Sequence, residues 1–284
     1  MSDSGNTGFL FDENIPRPVK GKGLIHIGTS GYSFSDWKGR FYPEGLSSNR
    51  WLEYYARFFE VVEINSTYYR TPSASSFASM AERTPDGFGF WVKLPGEVTH
   101  DSEDIQSPMT YFLESVKPLG DCGKLRGFLA QFPFSFKPGK DARDRIQSIS
   151  EMTCGIPVAV EFRRSDWIDS ENLDFLRAKS LNFVSVDLPD LKGLPGRESH
   201  LTGKKAYLRF HGRNSGTWYN PELGDRYDYE YSKAELKEWV SSIRKMDSET
   251  SSTYIFFNNC HAGQAVKNAR MLQQILTDEI ERKY

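Results

Sequence analysis

Glu161, Asp187 and His211 stand at or near the ends of three successive apolar runs, VAVEFR, NFVSVD and AYLRFHGR. Two carboxylates and an imidazole can pass protons to and from a substrate, or supply ligands to a divalent ion. Lys93 ends another run, FGFWVK, and joins them as a candidate catalytic residue. Arg163 lies two residues past Glu161, and Arg213 two past His211. Their guanidinium forks match phosphate and carboxylate. Gly212 lets the chain turn sharply, a turn expected to aim Arg213 across an opening. Ser30, Tyr32 and Trp37 follow a first run, Asn65 and Tyr69 a second, His100 a third, and Asn258 and Asn259 the last. All are expected on the substrate side of the same site.

Each chemistry has a plainer counterpart. Glu161 and Asp187 can simply neutralise Arg163, Arg209 or Lys93, and this reading is favoured over a divalent metal. Arg209, two residues inward of His211, is expected to be paired below the site. Tyr68, Trp167, Trp218 and Tyr227 can stack on bases or sugars, yet any single aromatic is more readily a packing residue. Glu63 extends the set of acids, but glycosidase chemistry with acids after strands four and seven would meet Gln131 and His211 there. No P-loop or GxSxG pattern is present.

Such residues act together only if their strand ends converge. Val158, Val160 and Phe162 alternate with Ala159, Glu161 and Arg163, and successive strand side chains point to opposite faces. Eight runs behave this way, over 24–28, 61–65, 88–94, 127–132, 157–163, 182–188, 205–211 and 253–258. Helical spacing or capping signals fall between most of them, over 48–59, 73–82, 109–118, 141–150, 170–179, 232–246 and 262–281. Ser232 and Glu235 form a capping-box pattern. Strands alternating with helices predict a parallel sheet, and eight such units predict a single (β/α)8 TIM barrel. Its site lies at the C-terminal ends of the strands, with apolar faces against helices and polar faces inside. The stretches 189–204 and 212–231 are long loops around strands six to eight, with no clear helix in the first. Residues 1–23 are polar and glycine-rich and are expected to form a flexible arm before a barrel over 24–284.

Bulk properties narrow the class. The formal net charge of −2 gives no global basic footprint. Three widely spaced cysteines and no CxxC pair point to a reducing, cytoplasmic setting without structural zinc. No apolar stretch is long enough to span a bilayer.

The segments GTSGYSFSDWKGRFYP, VEINSTYYRTPS, TPDGFGFWVKLPGEVTH, AVEFRRSDW, VSVDLP, LRFHGR and FFNNCHAGQAVKNA, in this order over 24–276, resemble the YecE-like proteins, domain of unknown function seventy-two. The resemblance implies a TIM barrel and, by analogy with endonuclease IV-like barrels, a link to nucleic acid; it implies no assigned reaction. A trinuclear zinc site of that kind needs more histidine ligands than the scattered His26, His100, His200, His211 and His261 supply. The resulting expectation is an enzyme, of phosphoester-hydrolase type, acting on an anionic and phosphate-bearing substrate. The alternatives are a non-catalytic binder of single-stranded nucleic acid or a phosphorylated metabolite, and an isomerase or lyase acting on a sugar phosphate.

Overall fold

A computed structural model describes residues 19–20, 24–101, 104–220, 222 and 225–281. The arm expected over 1–23 lies outside the described residues except for β1 (Val19–Lys20), which pairs antiparallel with the start of β2 (Leu24–Thr29). The remaining strands are β3 (Val61–Ile64), β4 (Gly89–Lys93), β5 (Leu125–Gln131), β6 (Val158–Glu161), β7 (Asn182–Asp187), β8 (Lys205–Phe210) and β9 (Ser252–Phe257). From β3 through β9 and on to β2 every neighbouring pair is parallel. Eight parallel strands thus form a nearly closed barrel, at the positions that the alternating runs predict.

The helices are α1 (Trp51–Tyr55), α2 (Ala74–Glu82), α3 (Gln106–Asp121), α4 (Lys140–Met152), α5 (Ser170–Ala178), α6 (Lys233–Glu238), α7 (Val240–Glu249) and α8 (Gln264–Glu281). The Ser232–Glu235 capping box starts α6 with both of its reciprocal hydrogen bonds. The helix expected over 232–246 breaks at Trp239, and that over 48–59 shrinks to one α-helical stretch flanked by tighter turns. Between β7 and β8 the described chain forms turns and no helix.

Outward strand residues such as Ile27, Val92, Val160 and Leu208 are buried against the helices in one large core. The interior holds a second, smaller core. Its floor is Trp91, with Tyr207 and Tyr254 edge-on at ring-centroid distances of 4.7 and 5.2 Å. The barrel is therefore filled below, and the polar residues sit above that floor. One strand has the opposite phase to the expectation. On β7 it is Val184 and Val186 that join the interior core, so Asp187 points outward, toward the helices.

The barrel closes unusually between β2 and β3. A single bridge, Ser30 to Glu63, joins them. Tyr55 from α1 fills the gap: its hydroxyl accepts from the Thr29 amide at 2.9 Å and donates to the Val61 carbonyl at 3.1 Å. Gly28 makes the close approach possible, since a Cβ there would lie 2.2 Å from the Val61 oxygen. Tyr55→Phe leaves these buried backbone groups without their partner, at an expected cost of about 1–3 kcal/mol. Thermal unfolding of the variant checks this; an unchanged melting temperature would mean the strands can close the seam themselves.

Candidate functional site

Five strands deliver polar side chains into the barrel just above its aromatic floor: Glu63 from β3, Lys93 from β4, Gln131 from β5, Glu161 from β6 and Arg209 from β8. They do so because each sits at the inward phase at or near the end of its strand. Arg209 is the centre of this layer. It donates to Glu63 Oε1 at 2.7 Å and to Glu161 Oε2 at 2.5 Å, while the Tyr207 hydroxyl donates to Glu63 Oε2 at 2.6 Å. All four groups are buried. Burial by itself raises the Glu161 carboxyl, but Arg209 and then Arg163 outweigh it and hold the group well below the carboxylate range. The expected pairing of Arg209 below the mouth is this contact.

His211 follows on the inward phase of β8 and is fully buried. The Asn258 amide nitrogen, which can only donate, lies 3.0 Å from its Nδ1, so the ring proton resides on Nε2. That nitrogen lies 3.2 Å from Glu161 Oε1. Burial, with Arg163 and Arg209 nearby, lowers the imidazole to about 3, and it is neutral at ordinary pH. His211 thus sits behind Glu161, below the mouth, and is not among the residues lining the cavity.

Above the layer opens a cavity of about 640 Å³ at the C-terminal ends of the strands. Lys93 faces it. Its Nζ donates to Gln131 Oε1 at 2.7 Å and lies 4.3 Å from the centre of the Tyr68 ring. Burial lowers this amine to about 7, assisted by Arg209 and Arg163 against the pull of Glu161 and Glu63. Arg163 reaches the same space, ion-paired through its Nε at 2.8 Å to Glu161 Oε1, and that Nε makes no hydrogen bond among the described residues. Its carbon lies 5.7 Å from the Trp218 ring, and Arg226 approaches the same ring at 5.8 Å. Neither arginine's terminal nitrogens meet a hydrogen-bond acceptor among the described residues. Asn65 Oδ1, also on the wall, is buried without a partner. At the rim Tyr69, Phe134 and Tyr219 are 88%, 41% and 59% exposed. Unpaired donors and acceptors around a cavity of ligand size are what a polar ligand would complete.

Of the residues singled out from sequence, Lys93, Arg163, Ser30, Asn65, Tyr69, His100 and Asn258 share this cavity, with Glu161 and His211 directly beneath it. Asp187, Arg213, Asn259, Tyr32 and Trp37 do not. Asp187 is buried on the outer side of β7, where it accepts from Trp239 Nε1 at 2.7 Å and the Tyr231 hydroxyl at 2.8 Å. Arg213 follows it outward: Gly212 does turn the chain, with φ 94°, but away from the opening. Arg213 then donates to Asp187 Oδ2 at 2.7 Å and Glu238 Oε2 at 2.8 Å, so it is already neutralised and offers no free charge. Asn259 takes the outward phase after β9 and donates to the Tyr229 carbonyl and Asn268 Oδ1. Trp37 is fully buried, its Nε1 donating to the Cys260 carbonyl at 2.7 Å, and Tyr32 packs beside Tyr55.

The separation of Asp187 from Glu161 also breaks up the three-residue set weighed, and disfavoured, as a metal site from the sequence. Among the described residues no three of His, Cys, Asp and Glu converge in a way that could hold an ion. Arg226, Phe134 and Tyr219 escaped the sequence reading because loops have no periodicity to betray them. The adjacent Tyr227 and the nearby Trp218 in the long loop were the available signal. No helix among the described residues is long and apolar enough to cross a membrane.

Residues 26–283 match the family model described as protein of unknown function DUF72. The chain is 27% identical over 275 residues to the UPF0759 protein YunF of Bacillus subtilis (strain 168), covering 90% of this chain and 96% of that one. It is similar to the crystal structure of a DUF72 family protein from Thermotoga maritima MSB8, with 41% identity, a TM-score of 0.82, and coverage of 89% of this chain and 98% of that one. A DUF72 family protein from Enterococcus faecalis V583 gives a TM-score of 0.80 at 27% identity, over 89% and 95% of the two chains.

Proposed function

Since the chain belongs to the DUF72 family, whose description assigns no reaction, its chemistry must be read from its own cavity, and we propose that it is an enzyme acting there on a small, phosphate-bearing substrate. The observation that carries this is the pair Arg163 and Arg226, which flank Trp218 at the cavity: Arg163 is ion-paired only through its Nε, to Glu161, and no carboxylate among the described residues is ion-paired with Arg226. Fork-shaped cations of this kind are completed by a phosphate or a carboxylate.

Lys93 is the group suited to moving protons. Its amine sits near neutrality and faces the cavity, so both its forms are populated at working pH. Glu161 is less suited as a base, because Arg209 and Arg163 stabilise its ionised form. His211 is screened behind it. Among the chemistries open to a TIM barrel with this wall, isomerase or lyase chemistry on a sugar phosphate fits better than phosphoester hydrolysis. It needs one near-neutral base beside an anchored phosphate, and no second free carboxylate.

The test is the response of thermal stability to inorganic phosphate. At roughly ten times its dissociation constant, phosphate should raise the melting temperature by about 2–3 °C. Arg163→Ala and Arg226→Ala should each abolish most of that shift. A shift unchanged in both variants puts the anion elsewhere and removes the proposal's support. The exposed Tyr69, Phe134 and Tyr219 favour a second reading, a non-catalytic binder stacking the bases of single-stranded nucleic acid. A short oligonucleotide that stabilises the protein only while Tyr69 and Tyr219 are intact, with phosphate inert, would favour that reading.

A further inference from the structure

Lys93 is placed differently from a lysine that serves as a fixed cation. Among the described residues no carboxylate lies within ion-pair distance of its Nζ; the partners are the neutral Gln131 Oε1 at 2.7 Å and the face of Tyr68 at 4.3 Å. The two carboxylates of the layer beneath are taken, since Arg209 bridges Glu63 and Glu161. The nitrogen instead faces the cavity of about 640 Å³, whose wall also carries Arg163. That space accommodates a molecule of several carbons with an anionic end. A desolvated lysine beside other cations is activated as an amine nucleophile.

Resting on the reading of this cavity as an anion site, we infer that Lys93 forms a Schiff base with a small carbonyl compound carrying a carboxylate or phosphate. The unprotonated Nζ forms a C–N bond to the carbonyl carbon. The π pair of the C=O bond moves to oxygen, which takes up the proton shed by the nitrogen, giving a carbinolamine; a second proton, from solvent in the cavity, then goes to its hydroxyl. Nitrogen then closes the C=N bond as the protonated hydroxyl leaves. Amine, carbonyl and one proton thus yield an iminium ion and one water. Arg163 holds the anionic end, and Gln131 Oε1 orients the nitrogen before attack. Burial, then the cations Arg209 and Arg163, favour the unprotonated form of Lys93, while Glu161 and Glu63 oppose them. The chemistry that follows an iminium is enolisation or cleavage next to the former carbonyl, which defines the substrate class as 2-oxo acids or sugar phosphates.

Reductive trapping on the full chain tests this. The protein is incubated at neutral pH with cyanoborohydride and either pyruvate or glyceraldehyde 3-phosphate, then digested and mapped by mass spectrometry. One probe should leave a reduced adduct on Lys93 at least about tenfold above any other lysine, and the effective probe tells oxo acid from sugar phosphate. Lys93→Met should remove the adduct, and Arg163→Ala should reduce it about tenfold. Adducts spread over exposed lysines without preference, or an unmodified Lys93 with both probes, overturn the inference. Mapping the unaltered chain makes this outcome independent of whether a variant folds. An intact phosphate response without an adduct removes the nucleophile and keeps the anion site. An adduct on Lys93 without a phosphate response does the reverse.

Discussion

Arg209→Met should lower the melting temperature by roughly 5–10 °C, the largest destabilisation expected of any single substitution here. Arg209 is 1% exposed, and both carboxylates that it bridges are fully buried. Removing the cation leaves Glu63 and Glu161 charged in an apolar enclosure, or forces them to take up protons. Breaking a buried pair this way costs about 3–5 kcal/mol, and here one cation serves two anions. The methionine fits the space but compensates neither charge. The control is the same change combined with Glu63→Gln and Glu161→Gln. That triple variant strands no buried carboxylate and leaves only Arg163, at the cavity wall, without its partner, so it should recover a large part of the loss. Thermal and urea unfolding read both results. A drop of only a few degrees in the single variant would show that Arg163 and Tyr207 suffice to satisfy the carboxylates.

Lys93→Met should stabilise the protein, and the gain should depend on pH. The amine titrates near 7 in the folded chain and at its ordinary value of 10.5 when unfolded. A folded pKa below the unfolded one means that folding is favoured when the group is neutral. The contribution of Lys93 is therefore best above 10.5, declines as pH falls toward 7, and is constant below that. The full span corresponds to roughly 5 kcal/mol. Melting temperatures of the two proteins should be similar at the alkaline end, apart from any packing difference. The variant should pull ahead by on the order of 10 °C near neutrality, with no further widening in acid. A gap that does not change between neutral and alkaline pH would mean that Lys93 titrates normally and has no unusual supply of free amine.

The barrel was legible because its strands alternate and its helices cap and repeat as helices do. The site was legible where phase and depth coincide. Lys93, Asn65 and Asn258 lie on the inward phase at the strand ends, and counting along the runs finds them. Asp187 misled because both faces of a parallel barrel strand are buried, so a polar side chain does not reveal which face is the interior. On β7 the interior takes the valines and the helix layer takes the acid. His211 has the right phase, but loop residues cover it, and no periodicity in the sequence reports what a loop covers. The direction of the turn at Gly212 has the same origin: glycine permits a positive φ without choosing where the next side chain goes. Arg226 belongs to a loop whose only regularity is its richness in aromatics.

The outward placement of Asp187 matters for how such a site could diverge. Its carboxylate receives Arg213 from one end of a long loop and the Tyr231 hydroxyl from the other. Trp218, Arg226 and Tyr227 are carried between those two roots. The loop is thus stapled at both ends to a single buried acid on the outside of the barrel, away from the Arg209 layer that supports Lys93. Between the staples, Trp218 is a second anchor, buried in the interior core and packed on Arg163, while Tyr219 and Arg226 are exposed and face the cavity. Grafting the stretch from Arg213 to Tyr231 between relatives, with its Trp218 anchor kept, is therefore expected to reshape the cavity wall while leaving Lys93 in place on its strand.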